Sequence, residues 1–323
     1  MSSINNTLHA RRALGTLMGT GLAISLAACG GSSSGGNGSS SAALPLSADT
    51  QFQAIKSVTH DLWHALNMQR YVAADAFDWL ATRCPDTSDL QEQDTTSRSI
   101  TFTECRQESE NNGSTWADRN TLIVNGSMTW QDDETLQHVI THSSNFSFLE
   151  TGIYQEFDQD DISYHEEWQY GARTDGDFTF STDQRYFSAD QAHLVFIDNY
   201  HYTNNSGSEG ENNDAEFRLA DFQLESSSHI TSSNNTFNGQ GHVIHYIADD
   251  ILSLDFIIAT PLVSTSSSRP CFESGELLLT DNQNNALSAY FSGNEVTLTL
   301  NGVASTMSCA AFAAELDIND PPL

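Results

Sequence analysis

Residues 296–302 read Val296-Thr297-Leu298-Thr299-Leu300-Asn301-Gly302. The five residues before the asparagine alternate between apolar and hydroxylated side chains. That period of two places Val296, Leu298 and Leu300 on one face of a strand and the threonines on the other. Asn-Gly is the dipeptide that tolerates the left-handed backbone of a tight hairpin turn. The stretch therefore reads as one arm of an antiparallel hairpin with one face buried and the other wet.

The same signature recurs outward from it. Ile100, Phe102 and Glu104 alternate with Thr101, Thr103 and Cys105. Phe146-Ser147-Phe148 and Phe178-Thr179-Phe180 alternate, and Leu194, Phe196 and Asp198 oppose Val195 and Ile197. Residues 243–247 and 252–256 continue the pattern. Asn125-Gly126, Asp175-Gly176, Asn238-Gly239 and Ser292-Gly293 fall between such runs and read as further turns. The polar, glycine-bearing stretch Asn204–Asp214 reads as a mobile loop. The expectation is mainly β, with ten to thirteen strands in a long antiparallel meander. So many strands should form a curled sheet, a half-barrel or a sandwich.

Residues 48–83 break this rhythm. Phe52, Ile55, Val58, Leu62, Trp63, Leu66, Val72, Phe77 and Leu80 recur at steps of three and four, which predicts a helix. Ser47 or Asp49 can cap it, 67–70 can divide it into a pair, and Pro85 stops it. Ser308 can cap a short helix through Cys309, Phe312 and Leu316. The tail 317–323 should fray.

The N-terminus carries an address. Residues 1–12 end in Arg11-Arg12, and residues 13–28 are apolar or small and uncharged. This is the layout of a secretory signal peptide, too short to span a bilayer. The context Ala10-Arg11-Arg12-Ala13-Leu14 matches a twin-arginine export signal poorly. The apolar run ends in Leu26-Ala27-Ala28-Cys29, which resembles a bacterial lipobox. The resemblance implies cleavage before Cys29, lipidation of its thiol, and membrane anchoring through acyl chains such as palmitate. Gly30 rather than Asp after the cysteine implies the outer membrane of a Gram-negative cell, on either its periplasmic face or the cell surface. Residues 30–41 (GGSSSGGNGSSS) suit a flexible tether within 29–47, leaving 48–316 as a single β-rich domain.

The chain has 12 basic and 43 acidic residues and a formal net charge of −31, and Lys56 is its one lysine. Removal of Arg11 and Arg12 with the signal peptide makes it more acidic still. Such charge excludes nucleic acid, whose phosphates need a basic patch. It also disfavours the body lying on anionic lipid. The acids are spread along the chain, as on a solvated surface.

Four cysteines follow Cys29: Cys84, Cys105, Cys271 and Cys309. In an exported chain an even count implies disulfides, and four allow three connectivities. Each of Cys84/Cys105 and Cys271/Cys309 sits in one local segment, which favours neighbour pairing; a zinc site lacks a CxxC. A cysteine, a glycine turn, an Asn-Gly and a second cysteine recur along about a third of the chain. In this it resembles a loose group of β-rich Gram-negative envelope lipoproteins of uncharacterised role, and that resemblance implies a domain type and no activity.

Chemistry-bearing motifs are sparse. His60 and His64 stand four apart on a helix, the zinc-protease spacing, but Asp61 replaces the glutamate and no third ligand is evident. Asp158, Asp160, Asp161, His165, Glu166 and Glu167 could supply oxygens to Ca²⁺, without an EF-hand pattern. On a strand, His165 and Glu167 would share one face and Glu166 would take the other. Asp175-Gly176-Asp177 reads as a turn. No nucleophile elbow, phosphate loop or dinucleotide fingerprint occurs, so neither an enzyme nor a cofactor is expected. Trp116, Trp130, Trp168, Tyr154, Tyr164, Tyr170, Tyr186, Tyr200 and Tyr202 concentrate in the strand region and could pack a core or bind flat ligands. Three functions follow as expectations: a lipid-anchored envelope protein with a structural or binding role toward an envelope protein or saccharide; a carrier of lipid or another apolar ligand; and a carbohydrate hydrolase using two carboxylates.

Overall fold

The computed structural model describes residues 43–67, 80–85, 88–92, 97–133, 137–158, 161–183, 185–212, 214–229, 234–247, 250–264 and 271–316. The signal segment, Cys29, nearly all of the tether and the tail lie outside these residues. So do 68–79, within the stretch expected to be helical.

The chain forms one curled, unclosed antiparallel sheet with few helices. Helix α1 (Gln51–Asn67) comes first, and a helical turn at 80–83 precedes Cys84. The strands are β1 (Ser88–Glu92), β2 (Ser97–Asn112), β3 (Trp116–Asp133), β4 (His138–Asp158), β5 (Asp161–Ser181), β6 (Tyr186–Asn204), β7 (Gly207–Asn212), β8 (Ala215–Ser226), β9 (Asn235–Ile247), β10 (Asp250–Ser264), β11 (Ser274–Asp281), β12 (Ala286–Ser292), β13 (Glu295–Leu300) and β14 (Val303–Ser308). Helix α2 (Cys309–Leu316) ends the domain. Strands pair with their sequence neighbours throughout, except that β6 pairs both β8 and the short β7. Strand β7 is a correction: the segment expected to be a mobile loop turns at 205–206 and returns along the far end of β6. Among the described residues it stands beside the main path of thirteen strands, which pair one after another as a meander.

A second correction concerns the turns. Ser292-Gly293 and Asn301-Gly302 do join strands. Asn125-Gly126, Asp175-Gly176 and Asn238-Gly239 instead lie inside β3, β5 and β9. Gly126 and Gly176 have φ of 87° and 109°, a backbone that L side chains rarely adopt, and each sits at a break in ladder register. A glycine within a strand marks a β-bulge. This is why β3 to β6 run for 18, 21, 21 and 19 residues, more than three times the usual strand of about 5–6.

The bulges line up across the sheet. Strands β2, β4, β6 and β8 each gain a residue near Glu104, Asn145, Asp190 and Asp221, and their buried positions change parity there. In β4 the buried set shifts from Val139, Thr141 and Ser143 to Phe146 and Phe148; in β6, from Phe187 and Ala189 to Ala192, Leu194 and Phe196. The same shift puts Cys105 on the face of Ile100 and Phe102, where unbroken alternation would have opposed them. Side chains brace the seam: Asn125 Oδ1 accepts from the Glu104 amide (2.9 Å) and Asp175 Oδ1 from the Asn145 amide (2.9 Å). Aligned bulges bend strands and raise twist, which is the local source of the curl.

Both helices pack on the buried face of the sheet. Ala54, Ile55, Val58, Leu62, Ala65 and Leu66 are buried along α1, the stripe expected from its period. The Ser47 hydroxyl accepts from the Thr50 amide, and the Ser308 hydroxyl accepts from the Ala311 amide, so both serines cap as expected. Phe52 meets Phe312 of α2 with ring centroids 6.2 Å apart. Below lie Phe187, Phe196, Phe217, Phe222, Phe256 and Phe291, all essentially inaccessible. Cys84 pairs with Cys105 and Cys271 with Cys309, with Cα separations of 5.8 and 5.7 Å. The first ties the segment after the helical turn to β2, and the second ties the start of α2 to the bend just before β11.

Candidate binding site

The core ends before the long strands do. On the face that buries Val124, Phe148, Ala172 and Phe196, the side chains further along β3, β4, β5 and β6 become aromatic and acidic. Ladder register sets Trp116 and Asp118 against Glu156 and Tyr154, these against Tyr164 and Glu166, and these against Asn204 and Tyr202. Because the period is two, all of them share one face.

Their rings form a row across four strands. Trp116 stacks near-parallel on Tyr154, with centroids 6.5 Å apart and planes at 25°. Tyr154 meets Tyr164 edge-on at 6.1 Å, Tyr164 stacks on Tyr202 at 5.8 Å, and Tyr200 lies parallel to Tyr202. Carboxylates accept from the phenols between them: Tyr154 to Glu156 (3.0 Å), Tyr164 to Glu166 (2.7 Å) and Tyr202 to Glu209. The two tryptophans rest on glycines. A Cβ on Gly113 would collide with the Trp116 indole, and one on Gly152 with the Trp168 indole. Thr115, Trp116, Tyr154, Glu156, Phe157 and Ser163 line a shallow depression of about 310 Å³ at the tip. The Tyr154 phenol is pushed above its ordinary pKa, first by burial and then by Glu156, Asp118 and Glu166, so the local field is negative.

The other candidates are dispersed. His60 and His64 lie on α1, and their side chains fall outside the described residues, as does Asp160. Asp158 and Asp161 are exposed and face each other as the last register pair of β4 and β5. His165 and Glu167 bond at 3.0 Å on one face of β5, while Glu166 takes the other face. Asp175 braces the seam, and Asp177 pairs with His142. His193–Glu216 and His242–Asp255, both at 2.8 Å, also face away from the helices. Among the described residues no three His, Cys, Asp or Glu side chains are grouped to hold a metal. Trp130 is buried, Tyr170 meets Phe148 at the core margin, and Tyr186 stacks on His138. The sequence held the aromatics but not their row, since Trp116 and Tyr202 are joined only through ladder register.

No protein-family profile, curated protein or solved structure matches the chain. Among the described residues no helix is long and apolar enough to cross a membrane.

Proposed function

We propose that this chain is a lipid-anchored, non-enzymatic binding protein of the bacterial outer membrane, with the aromatic–carboxylate face at the ends of β3–β6 as its recognition surface. The lipobox-like Leu26-Ala27-Ala28-Cys29 supports the anchor, through the thiol of Cys29. The observation that carries the binding role is the change of the core-side face from buried apolar side chains to partly exposed tryptophan, tyrosine and acidic ones where the strands outrun the core. Aromatic side chains that are amphipathic and short of rotamer freedom are favoured contact residues. The apolar face of the sheet is covered by α1, α2 and packed phenylalanines, so the apolar-carrier reading draws no support from it.

Two measurements test this. Cells fed a palmitate analogue should label the native chain and not Cys29→Ser; an unlabelled native chain rejects the anchor. Detergent-extracted protein should be retained by isolated cell envelopes, and Trp116→Ala with Tyr154→Ala should abolish retention while leaving thermal unfolding unchanged. Unaltered retention rejects this face.

A further inference from the structure

Resting on that reading of the face, we propose that Trp116, Tyr154 and Glu156 form a platform for a pyranose ring of a neutral or amine-bearing saccharide. Three independent features specify the ligand class. The first is ring attitude. The Trp116 indole occupies the space a Cβ on Gly113 would fill, and Gly113 N–H donates to the Trp116 carbonyl at 2.8 Å. Tyr154 stacks near-parallel to it, with the planes at 25°. A near-parallel pair in which Trp116 stays partly exposed suits the flat C–H face of a sugar. A cage for a quaternary ammonium group needs rings that enclose it.

The second feature is the rim. The depression beside the rings is lined by the hydroxyl residues Thr115 and Ser163 and by the Glu156 carboxylate. The Tyr154 phenol donates to Glu156 at 3.0 Å, which fixes one carboxylate oxygen and leaves the other as an acceptor for a sugar hydroxyl or ammonium. Trp116 itself is 37 % exposed. The lining of the depression is more polar than apolar, with the rings at its side, which suits a hydroxylated ligand better than an apolar one.

The third is charge. Asp118 and Glu166 flank Tyr154 together with Glu156, in a chain of net charge −31. Uronate, sulfated and phosphorylated chains would be repelled. Neutral sugars meet no penalty, and a free amine on the ring gains a partner in Glu156.

The test is calorimetric titration of the full chain in detergent with cellohexaose, the hexamer of glucosamine, polygalacturonate and tetramethylammonium. Saturable binding of the first two and none of the last two is expected. Trp116→Ala should weaken both sugars at least about tenfold, the change given by losing a central aromatic contact. Trp116→Phe should restore part of the loss. Glu156→Gln should leave cellohexaose within about threefold and erase any preference for the amine-bearing hexamer. Failure of both hexamers to bind the folded protein overturns the proposal, as does binding that Trp116→Ala leaves unchanged. Tetramethylammonium binding without sugar binding overturns it in favour of a cage. If the hexamers fail while envelope retention still depends on Trp116 and Tyr154, the saccharide class falls and the recognition face stands.

Discussion

Asp281 shows how one side chain can join distant parts of the chain. It is 4 % exposed and accepts from the amides of Leu46 (2.7 Å), Gln283 (2.9 Å) and Asn285 (2.8 Å) and from the Asn285 side chain (2.8 Å). Burial pushes its carboxyl pKa up, but the Asn285, Leu46 and Gln283 donors outweigh burial and hold it below the ordinary value. A depressed carboxyl contributes stability that is complete above its unfolded value near 3.9 and is lost as pH falls through the folded value. Asp281→Asn should therefore cost about 2 kcal/mol at neutral pH by urea unfolding, and the gap from the native chain should close in acid. Gly126 offers a second test. A Cβ there would strike the Asn145 backbone, and its φ of 87° strains any replacement. Gly126→Val should lower stability by more than about 1 kcal/mol, whereas Gly293→Ala, at a turn with open space around it, should cost less.

At the scale of elements, α1 acts as the lid of the core. Leu62 is fully buried beneath it, and Leu62→Ala should cost about 2–5 kcal/mol in chemical denaturation. The disulfides close loops of 21 and 38 residues. Loop-closure entropy assigns them about 3 and about 4 kcal/mol, so replacing Cys271 and Cys309 by alanine should destabilise more than replacing Cys84 and Cys105. A reversed order would show that native contacts, and not loop length, set their contributions. The elements were the most legible part of the sequence. The β class, both serine caps and the apolar stripe of α1 rest on contacts a few residues apart, which periodicity reports. The interior glycines misled for a physical reason. Asn125-Gly126 and Asn301-Gly302 carry the same local preference for positive φ, and only the partner strand decides whether the chain reverses or bulges. The aromatic row was hidden likewise, because it exists only once four strands are in register.

Across the whole molecule, the buried face of the sheet has two regimes, and the core crosses the bulge seam to reach Val124, Phe148, Ala172 and Phe196 before it ends. In the first regime α1, α2 and the phenylalanine cluster cover the sheet. In the second, β3 to β6 extend past the core with their aromatics partly exposed. Hydrogen exchange should be faster in 150–168 and 200–210 than in 252–258 and 287–298, because opening free energy follows buried contacts. Equal protection would mean that the aromatic row is as stabilising as the core.

The seam also gives the sheet something like a reading frame. In each of β2, β4, β6 and β8 a single residue sets which side chains of the two half-strands face inward. Removing Asn145 would keep every neighbouring side chain chemically intact yet turn Ile140 and His142 toward the core in place of Val139, Thr141 and Ser143. Its neighbours β3 and β5 would keep their own phase and could not follow. Single-residue deletions at these four points should therefore be far more damaging than substitutions there. Inheritance of the fold would then constrain the length of each half-strand more tightly than the identity of most residues in it.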